Sequence, residues 1–379
     1  MNILYICTPY DVHDRKWMTY FSDKADCNLF ATWESNFDNK LGPEDYEFFK
    51  EKKIKPLKSI RPFTFKNPFQ VWQSVRDLKR IIAENNIDIV HLLFATPHAI
   101  WGAYIKTPYI ITARGSDVLI VIPDLLKSSG IKKIQNIYLF YIFRKSFNKA
   151  ALITGTSLRQ LESINIHLSP SAPVELIRSG VDFETINKIE NDVFLPEVLK
   201  GKKYIFSPRY IRPIYNVELQ VEAIALLPQS VLSEYVFVFM YGDGDYLSKM
   251  KTSLDAIQGL NYLILDKLSQ IEMWTIYKYA ALTYMVPHSD GTPNSALEAM
   301  AAECPLILRD LAAYDKDLFD GTCVKLKDAT PQCFADAIVR CLDNYPKELK
   351  AAALQKVSQY GNRTIEMEKL YSWYKKIAG

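Results

Sequence analysis

Pro287-His-Ser-Asp-Gly-Thr-Pro-Asn-Ser-Ala-Leu-Glu-Ala-Met-Ala-Ala-Glu-Cys-Pro305 follows the apolar run Leu282–Val286 and reads as a strand, a polar turn and a helix opening near Asn294. A buried strand that feeds a helix through a short turn is the building unit of parallel α/β sheets. The turn brings backbone N–H groups and a helix N-terminus to one spot, a layout suited to a phosphate or other anion. Asp290 lies on the turn and Glu298 on the first helical turns, with seven residues between them. A helix starting at Pro293 or Asn294 puts Glu298 one turn in, on the side of Asp290. Positive dipole for a diphosphate beside acidic acceptors for hydroxyl groups matches the two halves of a nucleotide-sugar.

The same alternation runs along the whole chain. Strand candidates in the first half are Ile3–Cys7, Ile87–Phe94, Tyr109–Thr112, Leu152–Gly155 and Val174–Ile177. In the second half they are Tyr204–Pro208, Tyr235–Tyr241, Tyr262–Leu265, Leu282–Val286, Leu306–Arg309 and Cys323–Leu326. Helices such as Val217–Leu227, Gln270–Ala280, Pro331–Asn344 and Pro346–Tyr360 separate them. Continuously apolar strands between helices predict parallel sheets covered on both faces. At 379 residues two domains are expected, and the charged stretch Asp182–Lys203 marks the boundary. The expected division is 1–183, 184–361 and a last segment 362–379. Each large part reads as a doubly wound, Rossmann-like α/β domain with its ligand beyond the carboxyl ends of the strands, and two such ends facing each other predict an interdomain cleft.

Hydrophobic content of 49% and aromatic content of 13% exclude a disordered chain. The net charge of +3 conceals a bias: residues 51–150 hold 17 Lys+Arg against 6 Asp+Glu, a net +11 that leaves −8 for the remainder. The six cysteines form no Cys-x-x-Cys pair and no metal-ligand spacing with the histidines, so they read as buried thiols of a reducing compartment, and no metal is expected. Met1-Asn-Ile-Leu-Tyr-Ile-Cys7 lacks a basic n-region and reads as a first strand. No apolar run reaches the ~20 residues of a membrane span. The expected location is cytoplasmic, with a peripheral contact on the inner face of the membrane.

Three further patches stand out. Ser207-Pro208-Arg209 reads as the end of a strand, with Ile211-Arg212-Pro213-Ile214-Tyr215-Asn216 before the next helix; a cation there is well placed for a diphosphate. Gly242-Asp243-Gly244-Asp245 lacks the full G-x-G-x-x-G and reads more readily as a tight turn than as a nucleotide contact. Ala113-Arg114-Gly115-Ser116-Asp117 follows a strand, and Arg114 or Asp117 can reach a ligand or simply hold the turn.

The ordered set Arg114-Gly-Ser-Asp117, Leu176-Ile-Arg-Ser-Gly-Val-Asp182, Ser-Pro-Arg209, Gly242-Asp-Gly244 and Asp290-x7-Glu298 resembles glycosyltransferase family 4, retaining nucleotide-sugar-dependent enzymes of the GT-B fold. The resemblance spans residues 109–305, and Asn362–Ile377 looks like the family's last helix, which crosses back to the first domain. It implies that Glu298 binds the nucleotide ribose, that Asp290 contacts the donor sugar and that Arg209 binds the diphosphate. Gly291, Thr292, Pro293, Asn294 and Gly242 complete the donor side, while Arg114, Gly115 and Asp117, with His13 after the first strand, line the acceptor side. Arg209, Asp290 and Asp117 are the expected catalytic residues. The chain departs from the family pattern at Arg114, where histidine is usual, and at Tyr215, where a diphosphate-binding lysine is usual and Arg212 is the candidate substitute. It departs again at Thr8-Pro9-Tyr10-Asp11-Val12-His13, which lacks a glycine pair.

The implied chemistry is metal-independent transfer without a cofactor. The co-substrate is a UDP- or GDP-sugar, and the acceptor is a glycan or polyprenyl-linked glycan of bacterial surface polysaccharide. Basic-aromatic stretches over Lys52–Arg80 and Leu125–Ala150 read either as core elements with a solvated cationic rim or as a contact for anionic lipid. No nucleic-acid-binding motif is present, so no nucleic acid is expected. The competing readings are a nucleotide-sugar epimerase and a binding protein that has lost catalysis.

Overall fold

The computed structural model describes residues 1–127, 129, 131–242 and 244–379. Asp243, part of the Gly242–Asp245 turn, lies outside the described residues. The chain forms two compact units: Met1–Ser179 with Glu366–Gly379, and Gly180–Ile365.

In the first unit β1 (Asn2–Ile6), β2 (Asn28–Thr32), β3 (Ile54–Pro56), β4 (Ile89–Leu93), β5 (Tyr109–Ala113), β6 (Leu152–Gly155) and β7 (Val174–Leu176) form one parallel sheet. Its order is β3-β2-β1-β4-β5-β6-β7, so the winding reverses between β1 and β4. Successive side chains point to opposite faces. Ile3 and Tyr5 enter one core with Ile89 and Ile110, and Leu4 and Ile6 enter the other with Val90 and Ile111. The helix Ile131–Lys149 covers the second face with Ile142, Phe143 and Phe147. Met367, Leu370 and Tyr374 of the last helix, Arg363–Ala378, are buried in the first core. The Tyr374 hydroxyl also meets His91 Nδ1 and lies 3.3 Å from the Tyr5 hydroxyl. This helix therefore returns to the sheet that opens the chain.

β2 and β3 have no counterpart among the strands read from sequence. β3 is three residues long at the sheet edge, with Lys55 and Pro56 exposed, and β2 carries too short an apolar pattern to mark it.

In the second unit β8 (Tyr204–Ile211), β9 (Val236–Gly242), β10 (Asn261–Leu265), β11 (Leu282–Met285), β12 (Leu306–Arg309) and β13 (Val324–Leu326) give the order β10-β9-β8-β11-β12-β13, again all parallel. The reversal falls between β8 and β11. β8 does not end at Pro208 as its sequence suggested. Its register with β9 shifts between Ser207 and Tyr210, and pairing resumes as Tyr210 with Met240 and Ile211 with Gly242. A bulge accommodates Pro208, which has no N–H for the ladder.

The division at Ser179/Gly180 falls four residues before the expected boundary. Val181 N–H donates to Gly361 O and Arg363 N–H donates to Val181 O, which ties residues 180–183 to the second unit. Gly180 has φ +60°, and a Cβ there would lie 2.6 Å from Arg363 Cα, so this crossing requires glycine. All six cysteines are free thiols. Four are buried, but Cys333 is exposed and Cys27 half-buried, contrary to the sequence expectation.

Candidate active site

β8 and β11 diverge at the winding reversal of the second sheet, and the loop after β11 carries Asp290. Open α/β sheets bind ligands at such a reversal, beyond the carboxyl ends of the strands. Arg209, carried forward by the β8 bulge, places Nη2 3.1 Å from Asp290 Oδ2 and donates from Nη1 to Ser295 Oγ at 3.1 Å. Its guanidinium also stacks 4.3 Å from the centroid of the Tyr215 ring. Tyr215 thus does not leave a gap where a lysine would stand: it supplies a face that holds Arg209. Arg212 is exposed, with its guanidinium 5.7 Å from the Tyr210 ring.

The helix Asn294–Ala301 opens as expected, with Pro293 at its N-cap and no capping side chain. Glu298 lies one turn in and is half-buried. Asp290 Oδ1 accepts the Gly291 N–H at 2.9 Å. Burial raises the Asp290 pKa, against the pull of Arg209 and of that N–H. For Arg209 burial is the largest single influence and works downward, but Asp290 together with Tyr215, Tyr314 and Tyr277 outweighs it, so its pKa is raised too. Two phenols missed by sequence reasoning, Tyr277 and Tyr314, are buried close enough to act on this charge. Neither hydroxyl has a hydrogen-bond partner among the described residues, and the same holds for Arg209 Nε. Buried polar groups normally find partners, so these orphans mark a polar centre built to meet something else.

A Cβ on Gly242 would lie 2.5 Å from Ile211 O, so close packing of β9 on the β8 bulge accounts for this glycine.

In the first unit Asp117 was expected to be catalytic. Instead it is fully buried, and its oxygens accept the backbone N–H groups of Ala95, Arg114, Gly115 and Val118 at 2.8–3.2 Å. With no oxygen left for a substrate, Asp117 is a positioning residue that holds the 114–118 turn. Gly115 has φ +145°, a backbone state that side chains disfavour. Arg114, at the end of β5, forms an ion pair with the fully buried Asp14 and a second, at 3.3 Å, with Asp11. His13 is exposed on the first turn of the helix Val12–Ser22, and its backbone N–H donates to Asp11 Oδ1.

Asp14 and His98 are missed members of this cluster. Burial lifts the Asp14 carboxyl to about 7 despite the neighbouring Arg114. Burial first, and then Arg114, push His98 down to about 3, so its imidazole is neutral. His98 Nε2 lies 3.4 Å from Thr8 Oγ1, and Nδ1 has no partner among the described residues. The signal for Asp14 was the Asp11-x-x-Asp14 spacing, which puts both carboxylates at a helix start after β1.

The family model for 4-like glycosyl transferases matches residues 2–157, and that for group 1 glycosyl transferases matches residues 189–357. The chain belongs to this glycosyltransferase family. A Bacillus subtilis protein named as the teichuronic acid biosynthesis glycosyltransferase TuaC is 24% identical over 265 residues, covering 67% of this chain and 61% of the relative, so the match spans about three fifths of that protein. The Methanocaldococcus jannaschii glycosyltransferase MJ1178 is 24% identical over 316 residues, covering 79% of this chain and 76% of that protein. Among solved structures, Anabaena Alr3699/HepE in complex with UDP superposes with a TM-score of 0.76 at 12% identity, covering 99% of each chain. A glycosyltransferase from Rickettsia africae superposes at 0.72 and 14% identity, covering 99% of this chain and 98% of its own. The fold is GT-B.

Proposed function

We propose that the protein is a retaining glycosyltransferase that uses a nucleotide-sugar donor held by its second unit. The observation that carries this reading is the Arg209–Asp290 pair at the β8/β11 reversal, with Glu298 one turn into the adjoining helix. Arg209 and the helix N-terminus bind the diphosphate and stabilise the charge that grows on it as the glycosidic bond breaks. They supply the neutralisation that a metal ion provides in other designs, so transfer proceeds without one. Glu298 accepts from the ribose hydroxyls, and Asp290 turns to the sugar once the phosphates take over Arg209. The Thr292 and Asn294 region supports the phosphates through its backbone. The acceptor oxygen arrives on the face the diphosphate leaves, and the departing diphosphate takes its proton. HepE is solved with UDP and with UDP-glucose, which favours a UDP-sugar over a GDP-sugar donor.

The first unit recognises the acceptor through the turn held by Asp117, with Arg114 at its surface. Likeness to TuaC supports a surface-polysaccharide acceptor, free or polyprenyl-linked, and a cytoplasmic enzyme at the inner membrane face. The exposed cations and aromatic rings of the first unit support the membrane contact. Among the described residues no helix is long and apolar enough to cross a membrane. Thermal shift against a panel of UDP-, GDP- and ADP-sugars tests the donor assignment, because a ligand that binds only the folded state raises its stability. Stabilisation by one nucleotide class, lost in Glu298→Ala, supports it; a flat response across the panel refutes it.

A further inference from the structure

Arg209 Nε, Asp290 Oδ2 and the hydroxyls of Tyr277 and Tyr314 are buried in one polar centre of the second unit, and none has a hydrogen-bond partner among the described residues. The 3.1 Å approach of Nη2 to Oδ2 makes an ion pair of Arg209 and Asp290 without giving Oδ2 an aligned hydrogen bond. An unpaired buried hydroxyl is costly, and phenylalanine fills the same space without it. The resting arrangement thus keeps unpaired donors beside an unpaired acceptor, and a change of partners would satisfy them.

Neighbouring strands bring Tyr314 to Asp290. Asp290 lies on the loop after β11 and Tyr314 on the loop after β12, the strand paired with it. Arg309 Nη1 donates to Pro287 O at 3.0 Å and ties the two loops together. The Tyr314 N–H donates to Leu311 O at 3.0 Å, which closes a turn, and its ring packs 5.3 Å from the Phe319 ring. Tyr277, on the helix Gln270–Tyr279, is held instead against Phe206, with ring centroids 5.2 Å apart.

The two phenols answer to different carboxylates. After burial, Glu298 is the charge that acts most on Tyr277, and Asp290 the one that acts most on Tyr314. Burial first, and then Asp290, push the Tyr314 phenol up against the pull of Arg209, so it keeps its proton and serves as a donor. Asp290 in turn faces Arg209 from β8, Tyr314 from the loop after β12 and the Gly291 N–H of its own turn; Tyr277 and Glu298 join the cluster through Arg209. A diphosphate that engages Arg209 takes this counter-ion from Asp290. A buried carboxylate so deprived takes up a proton unless a hydrogen bond holds it ionised.

We infer that Tyr314 is a positioning residue: when a diphosphate takes over Arg209, the Tyr314 hydroxyl donates to Asp290 Oδ2 and keeps that carboxylate ionised. The inference rests on the proposed transferase reading and adds to it the group that replaces Arg209 as the partner of Asp290.

UDP, GDP and ADP are titrated calorimetrically in buffers of different ionisation enthalpy, which counts the protons taken up on binding. Wild type is expected to bind one of them. Tyr314→Phe is expected to bind the same nucleotide and to take up more protons than wild type, up to about one per site, because Asp290 Oδ2 is left without a partner. Tyr277→Phe, which removes the phenol that answers to Glu298, is expected to keep the wild-type count. Tyr314→Phe should also melt at or above the wild-type temperature, since it removes an unpaired hydroxyl. A wild-type proton count in Tyr314→Phe, or an equal rise in Tyr277→Phe, overturns the inference and leaves the transferase reading standing. A lower melting temperature in Tyr314→Phe shows that the hydroxyl has a partner at rest and overturns it as well. Binding of none of the three nucleotides by the wild type removes the transferase reading and this inference with it.

Discussion

Arg209 Nη2 lies 3.1 Å from Asp290 Oδ2, where the winding of the second sheet reverses. Tyr215 stacks on the guanidinium and Ser295 accepts from it, so the cation is held in place before any anion arrives. Preorganised charge of this kind stabilises a leaving diphosphate without reorganisation at the moment of reaction.

Arg209→Ala removes this charge and is expected to reduce turnover by about 10²–10³-fold, the usual cost of one such donor. It also leaves Asp290 without its cation. Breaking a fully buried pair costs about 3–5 kcal/mol, and with side chains 20% and 14% exposed we expect about 1–3 kcal/mol. Because burial raises the Asp290 pKa, this cost shrinks as pH falls and the carboxyl takes up a proton. Arg209→Ala/Asp290→Asn should recover stability but not turnover. Melting curves and donor turnover for the single and double variants check both parts; wild-type turnover in Arg209→Ala would remove it from the site.

Glu298→Ala is expected to weaken UDP binding by about 1–3 kcal/mol through loss of the ribose contact. Calorimetric titration with UDP measures it. Equal affinity in variant and wild type would place the ribose elsewhere.

Asp14 gives the first unit a pH signature. Its ordinary pKa of 3.8 rises to about 7 in the fold, with burial outweighing Arg114 and with Asp11 adding to the rise. Between those values the folded state holds a proton that the unfolded state has released. Its contribution to stability is therefore lost as pH rises from about 4 to 7. Asp14→Asn should flatten the fall in stability across that window, as read from denaturant midpoints at a series of pH values. An unchanged slope would show that Asp14 does not titrate there.

Asp117→Asn keeps the shape but exchanges one acceptor oxygen for a donor, facing N–H groups that now lack a partner. Each buried N–H left unpaired costs about 1–3 kcal/mol, so a clear drop in melting temperature is expected with UDP affinity intact. A stable variant with normal melting would mean that Asp117 does not hold the turn.

Much of this was legible in the chain because buried parallel strands announce themselves. All six strands of the second unit stand in apolar runs, and the turn 287–293 carried its own chemistry. The short edge strand β3, with Lys55 and Pro56 exposed, has no such run. Asp117 showed its position but not its role, since the Ala95 N–H from another stretch joins three N–H groups of its own turn on this carboxylate only in the fold. The partners of Arg209 were hidden for the same reason. Tyr277 and Tyr314 lie 68 and 105 residues from it in sequence and meet its field through packing alone. Asp14 was not singled out in the sequence, because only the fold buries it against Arg114.

The central claim is tested most directly by incubating the protein, with and without a chelator, with UDP-, GDP- and ADP-sugars and identifying the products. The account predicts that one donor class yields free nucleoside diphosphate and sugar, that the chelator leaves this unchanged, and that Arg209→Ala slows it by about 10²–10³-fold. Conversion to an isomeric nucleotide-sugar, or binding without any release of nucleotide, would contradict it.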